Sequence, residues 1–271
     1  MSLAASGLHF AYSPGRPVLR GLSLDLHPGE LAYLLGPNAC GKTTLLLCLA
    51  GVLSPGQGTV ELDGLPLEKL APRARARRLA YVPQLHEPPF AYTAWQVVLM
   101  GRAPFLAGWQ RPRREDTRAV RQALDQLGIA GLAHRPYTSL SGGEQRLVLL
   151  ARALAQGAKF LLLDEPDAHL DPAHQLGVQK TLRDLAKSGH GLLATTHSPT
   201  HALLYPNRVF LMGAGKLIAA GPPGEVLTPR TLEQAYGTSF RLLSSPDGIQ
   251  ALVAVESTSP HPRRRFSVSE S

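Results

Sequence analysis

The chain has 271 residues, 44% of them hydrophobic and 18% charged, with a formal charge of +8 at pH 7; this is a globular composition and excludes a mainly disordered or fibrous chain. The longest apolar run, Leu45 to Ala50, falls far short of the ~18 residues of a membrane span, and no basic stretch leads into an apolar one at the start, so neither a span nor a secretory leader is expected. The two cysteines, Cys40 and Cys48, cannot build a disulfide framework and are not spaced for zinc, which points to a reducing cytosol.

In chain order, residues 8–12, 18–26 and 58–62 are expected as short antiparallel strands, the last ending in the turn dipeptide Asp63-Gly64. The apolar runs at Leu31 to Leu35, Leu79 to Val82, Phe160 to Leu163 and Gly191 to Thr195 read as buried parallel strands. An apolar helix is expected at 45–53. From Ala91 to Leu140 the pattern is helical, with Val120, Leu124 and Leu127 on one face, and an inserted helical subdomain is placed at about 91–155. A helix over 172–188 is bounded by Asp171 as N-cap, Pro172 and Gly189. A hairpin is expected through Pro246-Asp247-Gly248, and the Ser/Pro/Arg-rich residues 257–271 hold too few apolar groups to pack. The fold class is therefore α/β, with a mixed sheet, an antiparallel β edge and the inserted helical subdomain, in one domain over 1–256.

The basicity is local, since residues 73–121 hold ten arginines against three acids and leave the rest of the chain near neutral. Its aromatics lie mostly in apolar surroundings rather than interleaved with the charges, so a single-strand nucleic-acid platform is not expected. The charge reads as a local basic patch, for which an anionic membrane surface is the other class of partner it raises.

Three motifs carry chemistry. Gly36-Pro37-Asn38-Ala39-Cys40-Gly41-Lys42-Thr43 follows a strand and opens a helix, as a phosphate-binding loop must. There backbone N–H groups converge on phosphate, Lys42 reaches its oxygens, and the Thr43 hydroxyl suits Mg²⁺, with Thr44 next in line. Cys40, near a helix start and a cation, is expected to be the more reactive thiol. Asp164-Glu165 ends an apolar strand, where successive side chains diverge. The natural division gives Asp164 to the metal and Glu165 to the attacking water, against the plainer reading of two solvated acids. Ser141 and Glu144 form a capping box, and Gly142-Gly143 between them expose backbone donors at a helix start, a second anion cradle beyond what one nucleotide needs. His197 and His201, four residues apart, would suit a metal only with a third ligand.

Taken in order, the phosphate loop, Tyr81-Val82-Pro83-Gln84, Leu-Ser141-Gly142-Gly143-Glu144, Asp164-Glu165-Pro, Leu170-Asp171 and Thr196-His197 resemble the ATP-binding subunit of ABC transporters. The resemblance implies ATP and Mg²⁺ as cofactors and a head-to-tail homodimer that sandwiches ATP between the phosphate loop of one subunit and Ser141-Gly142-Gly143 of the other. It further implies adenine stacking by Tyr12, a metal, water and coupling role for Gln84, a cross-dimer contact for Asp171, and γ-phosphate contact and base positioning for His197. Three positions depart from the usual pattern: Ala39 where Gly is common, Asp167 where Thr is common, and Arg146-Leu147 where Gln-Arg is common. Ala39 is harmless given an ordinary backbone conformation, and Asp167 places a charge near Glu165 that would raise its proton affinity.

Further runs at 98–104, 168–175 and 221–229, with Ala235-Tyr236-Gly237, resemble the importer group serving ferric siderophores, haem and vitamin B12; molybdate importers share much of this. The implied partners are transmembrane permease subunits and, indirectly, a solute-binding protein, with the chain peripheral on the cytoplasmic face of the bacterial inner membrane. The rival from another class is a cytosolic ABC-type ATPase acting on nucleic acid or cofactor assembly, but neither an inserted coiled coil nor a second motif set is present.

Overall fold

The computed structural model describes residues 1–84, 91–106 and 110–256. The chain opens with strands β1 (Leu3–Ala11), β2 (Pro17–Leu26) and β3 (Leu31–Leu35), helix α1 (Lys42–Leu49), and strands β4 (Gln57–Leu62) and β5 (Leu65–Pro66). Next come α2 (Pro72–Ala76), β6 (Leu79–Val82), α3 (Ala94–Leu99), α4 (Arg114–Gln126), α5 (Gly142–Ala155), β7 (Phe160–Leu163), α6 (Pro172–Lys187) and β8 (Gly191–Thr196). The remainder is α7 (Pro199–Leu204), β9 (Arg208–Gly213), β10 (Lys216–Gly221), α8 (Pro223–Val226), α9 (Pro229–Tyr236), β11 (Ser239–Ser244) and β12 (Gln250–Val255).

The central sheet runs β10-β9-β3-β8-β7-β6, parallel from β9 to β6 with β10 antiparallel at the edge. A second, antiparallel sheet runs β2-β1-β4-β5. Its β4–β5 turn is Asp63-Gly64, with φ 56° and 77°, the paired left-handed geometry that matches hairpin twist. The α/β core with a mixed sheet and an antiparallel edge is the architecture the sequence predicts. All five residues of β3 are buried, because both faces of the central sheet are covered. Leu31, Tyr33 and Leu35 face a core shared with α3, α4, α5 and α6, while Ala32 and Leu34 face α1 and the antiparallel sheet. Each such buried leucine contributes on the order of 1.5–3 kcal/mol.

Between β6 and β7 the chain is helical, but less continuously than the periodicity predicts. Residues 100–105 form a 3₁₀ turn, and α4 begins only at Arg114. The turn lies backbone to backbone on α5: a Cβ on Gly101 would sit 2.2 Å from the Arg152 carbonyl oxygen. Arg102 is buried there, Nε on Asp116 at 2.9 Å and Nη1 on the Ala155 carbonyl at 2.8 Å, with its guanidinium 3.6 Å over the Phe105 ring. One charge of the basic segment is thus spent on internal structure. Helix α1 spans Lys42–Leu49, so it starts earlier and ends sooner than the predicted 45–53. Strands β9 and β10 and the short helices α2 and α7 to α9 are absent from the sequence reading. The predicted hairpin is β11–β12, docked on α7 through the Thr200 hydroxyl, which accepts from Leu252 N–H at 3.1 Å. Residues 257–271, predicted not to pack, lie outside the described residues. Among the described residues no helix is long and apolar enough to cross a membrane.

Candidate active site

Four adjacent parallel strands, β3, β8, β7 and β6, end at one edge of the central sheet, and each delivers a predicted site residue just beyond its last residue. The loop after β3 carries residues 36–43. Gly36 is required by close approach, since an added Cβ would lie 2.5 Å from the Met212 carbonyl oxygen. Gly41 has φ 106° at the N-cap of α1, a conformation closed to L side chains. Lys42 is buried and folds back over its own loop, Nζ donating to the carbonyls of Gly36 at 2.8 Å and Pro37 at 3.1 Å. The loop, with Tyr12, Val18 and Glu165, lines a groove of about 440 Å³ that includes Asn38, Ala39, Thr43 and Thr44. Tyr12 stands 65% exposed at its mouth, edge-on to Phe10, with its hydroxyl 3.2 Å from Thr44 Oγ1. That leaves a ring face free for a planar ligand.

Asp164 and Glu165 do diverge. Asp164 is buried and accepts from Thr43 Oγ1 at 2.8 Å and Thr195 Oγ1 at 2.7 Å. Glu165 Oε2 accepts from Gln84 Nε2 at 3.1 Å and lies 3.4 Å from His197 Nδ1. Glu165 has φ 43°, a left-handed conformation costly for a residue with a Cβ. Its N–H is held by Thr195 Oγ1 at 2.8 Å. Thr195 therefore links both acids, and sequence reasoning missed it because a threonine inside an apolar strand carries no motif.

Ser141, Gly142, Gly143 and Asp171 gather apart from this groove. Ser141 and Glu144 make the reciprocal capping box, Ser141 N–H donating to Glu144 Oε2 at 2.8 Å. His174, exposed on α6, places Nδ1 2.5 Å from Asp171 Oδ2 and lays its ring against Gly143, where an added Cβ would meet it at 2.6 Å. The His174 amide and ring hold the exposed Asp171 carboxyl below the usual carboxylate range.

Several expectations need correction. Ala39 has φ 60°, not an ordinary conformation, which is the physical reason Gly suits that position. Asp167 does not direct its charge at Glu165: its Oδ2 accepts from Gln179 Nε2 at 2.7 Å and lies 2.8 Å from His201 Nδ1. Burial pushes the Asp167 carboxyl up, but these partners outweigh it and leave it below the usual range. His201 is thereby engaged, and among the described residues no group of three His, Cys, Asp or Glu could hold a metal. Cys40 is buried with its Sγ turned toward Gly36, and burial raises its thiol pKa despite the nearby Lys42. Cys48 is buried too, its thiol pushed up to about 11. In the folded protein at pH 7, maleimide should therefore label neither cysteine at the rate of a free thiol, and denaturation should release both; mass spectrometry of native and unfolded samples checks this, and rapid native labelling of Cys40 would contradict it.

A parallel sheet that brings a phosphate loop and a diverging acid pair to one edge is the machinery of a P-loop nucleoside triphosphatase. The model of the ABC transporter family matches residues 19–168, and the chain belongs to this family. Its chemistry is ATP hydrolysis. The hemin import ATP-binding protein HmuV of Streptomyces coelicolor is 39% identical over 258 residues, 95% of this chain and 91% of its own. The iron(3+)-hydroxamate import ATP-binding protein FhuC of Bacillus subtilis is 35% identical over 246 residues, covering 90% and 91%. A solved structure described as an inward-facing metal-chelate type ABC transporter superposes with a TM-score of 0.84 at 32% identity, over 95% of this chain and 98% of that one.

Proposed function

We propose that the chain is the ATP-hydrolysing subunit of an importer for haem or a ferric siderophore, acting as a homodimer beneath transmembrane permease subunits on the cytoplasmic face of the bacterial inner membrane. Residues 1–256 form its single ATPase domain, with 91–155 as the helical part. A solute-binding protein would load the permease without touching this chain. The observation that carries the catalytic reading is the convergence of Gln84 and His197 on one carboxylate oxygen of Glu165. A carboxylate so held is oriented to take a proton from water as the water oxygen bonds to the γ phosphorus and the bond from that phosphorus to the β,γ-bridging oxygen breaks, releasing ADP. The import reading is supported by the names of the HmuV and FhuC relatives, matched over nine-tenths or more of this chain.

In this reading Tyr12 stacks on adenine, the loop N–H groups of residues 38–43 bind phosphate, and Lys42 turns from its own carbonyls to the β and γ oxygens. Thr43 Oγ1 and Asp164 Oδ2, 2.8 Å apart, offer the hard oxygens Mg²⁺ prefers, and a small protein contribution suits an ion that draws its other ligands from phosphates and water. Bound there, Mg²⁺ would supply charge neutralisation on the phosphates. Gln84 would join that shell through its side-chain oxygen. Ser141, Gly142, Gly143 and Asp171 face the nucleotide held by the second subunit, which accounts for their separation from the groove of their own chain.

Disrupting the gene in its source cell should abolish growth on haem or on a ferric siderophore as sole iron source while sparing growth on a simple iron salt. Unchanged growth on every chelated iron source would overturn the substrate class.

A further inference from the structure

We propose that Arg146 is a positioning residue for Gln84, tying the helix that begins at Gly142-Gly143 to the Glu165 site; the inference rests on the catalytic reading of Gln84 and Glu165 above. Arg146 lies on α5, little more than one turn after Ser141, and is 7% exposed. Its guanidinium spans two successive carbonyls, Nη1 donating to Pro83 O at 2.9 Å and Nη2 to Gln84 O at 2.6 Å. Among the described residues no carboxylate lies in ion-pair contact with it. Burial disfavours its charge, and Asp167 and Asp164 support that charge only from beyond ion-pair distance, so the two carbonyl bonds are its direct polar contacts among the described residues.

What it holds is main chain just past the end of a strand. Strand β6 ends at Val82, whose carbonyl accepts from Asp164 N–H at 2.9 Å. Beyond this the neighbouring chain turns away into Glu165, and among the described residues the half-buried carbonyls of Pro83 and Gln84 receive their bonds from Arg146. The planar guanidinium fork suits two acceptors held side by side, a fit that one lysine ammonium reproduces only in part. With its backbone pinned, Gln84 reaches Glu165 Oε2 at 3.1 Å. The arginine occupies one of the positions that depart from the usual Gln-Arg pair, so this chain carries the clamp where the family pattern has a glutamine. Because α5 starts at Ser141-Gly142-Gly143, any displacement of that turn is transmitted through two hydrogen bonds to the side chain touching the base.

The test is a double-mutant cycle on the purified full chain, reading kcat and KM for ATP together with the melting temperature. Arg146→Met keeps length and removes the donors. It should lower kcat about tenfold or more with KM changed less than about twofold, the signature of misplacing a reacting group. In a Gln84→Ala background the same change should cost little further, because the two residues act in series. Arg146→Lys should recover part of the rate, and it carries the same cycle if Arg146→Met does not fold. An unchanged kcat in Arg146→Met, or an equal loss in both backgrounds, would overturn the proposal. Wild-type kcat in Gln84→Ala alone would instead remove the catalytic role of Gln84, and the purpose of the clamp with it.

Discussion

Glu165→Gln should retain ATP and hydrolyse it about 10²- to 10⁴-fold more slowly. The substitution preserves shape and leaves Thr43, Asp164 and Lys42 untouched, so the phosphate loop keeps its geometry. What disappears is the proton acceptor. The oxygen that accepts from Gln84 and faces His197 becomes half of an amide whose basicity is negligible at neutral pH, and an attacking water has nowhere to send its proton. The variant should also accumulate as an ATP-bound dimer, visible by size-exclusion chromatography with and without nucleotide. Phosphate release at the wild-type rate would remove Glu165 from the role of base.

Lys42→Met is expected to weaken ATP by roughly 10- to 150-fold, the equivalent of the ~1.5–3 kcal/mol carried by hydrogen bonds to a charged group. Lys42 is buried and bonded to two carbonyls of its own loop, so the methionine loses both the phosphate contact and the internal tether. Two effects follow that are read separately. Loss of the tether should appear as a fall in melting temperature without nucleotide. Loss of the phosphate contact should appear only in titration with a fluorescent ATP analogue. Wild-type affinity in that titration would refute the assignment.

The loop at 36–43 and the acid pair at 164–165 are legible because each combines a fixed spacing with the end of an apolar run, and spacing survives without coordinates. Strands β9 and β10 carry a readable signal, Val209-Phe210-Leu211-Met212 before the turn at Gly213-Ala214-Gly215, which lacked an adjoining motif to draw attention. Other features depend on partners that only the fold brings together, or on a backbone angle. Asp167 looked like a second charge at the base because its partners, Gln179 and His201, lie 12 and 34 residues away. Cys40 looked activated because proximity to Lys42 in sequence says nothing about which way the sulfur turns, and burial then outweighs the cation. Thr195 could be found only from the pairing of β8 with β3 on one side and β7 on the other.

The left-handed backbone of Glu165, at φ 43°, sets the chain's fold against its chemistry at one position. A glutamate there forgoes on the order of 1–2 kcal/mol relative to an unstrained conformation, whereas glycine or asparagine would sit comfortably. Laboratory selection for heat resistance alone would therefore reward the loss of this carboxylate, yielding hardier subunits that grip nucleotide and do nothing with it. Only continued demand for turnover keeps the less comfortable residue in place.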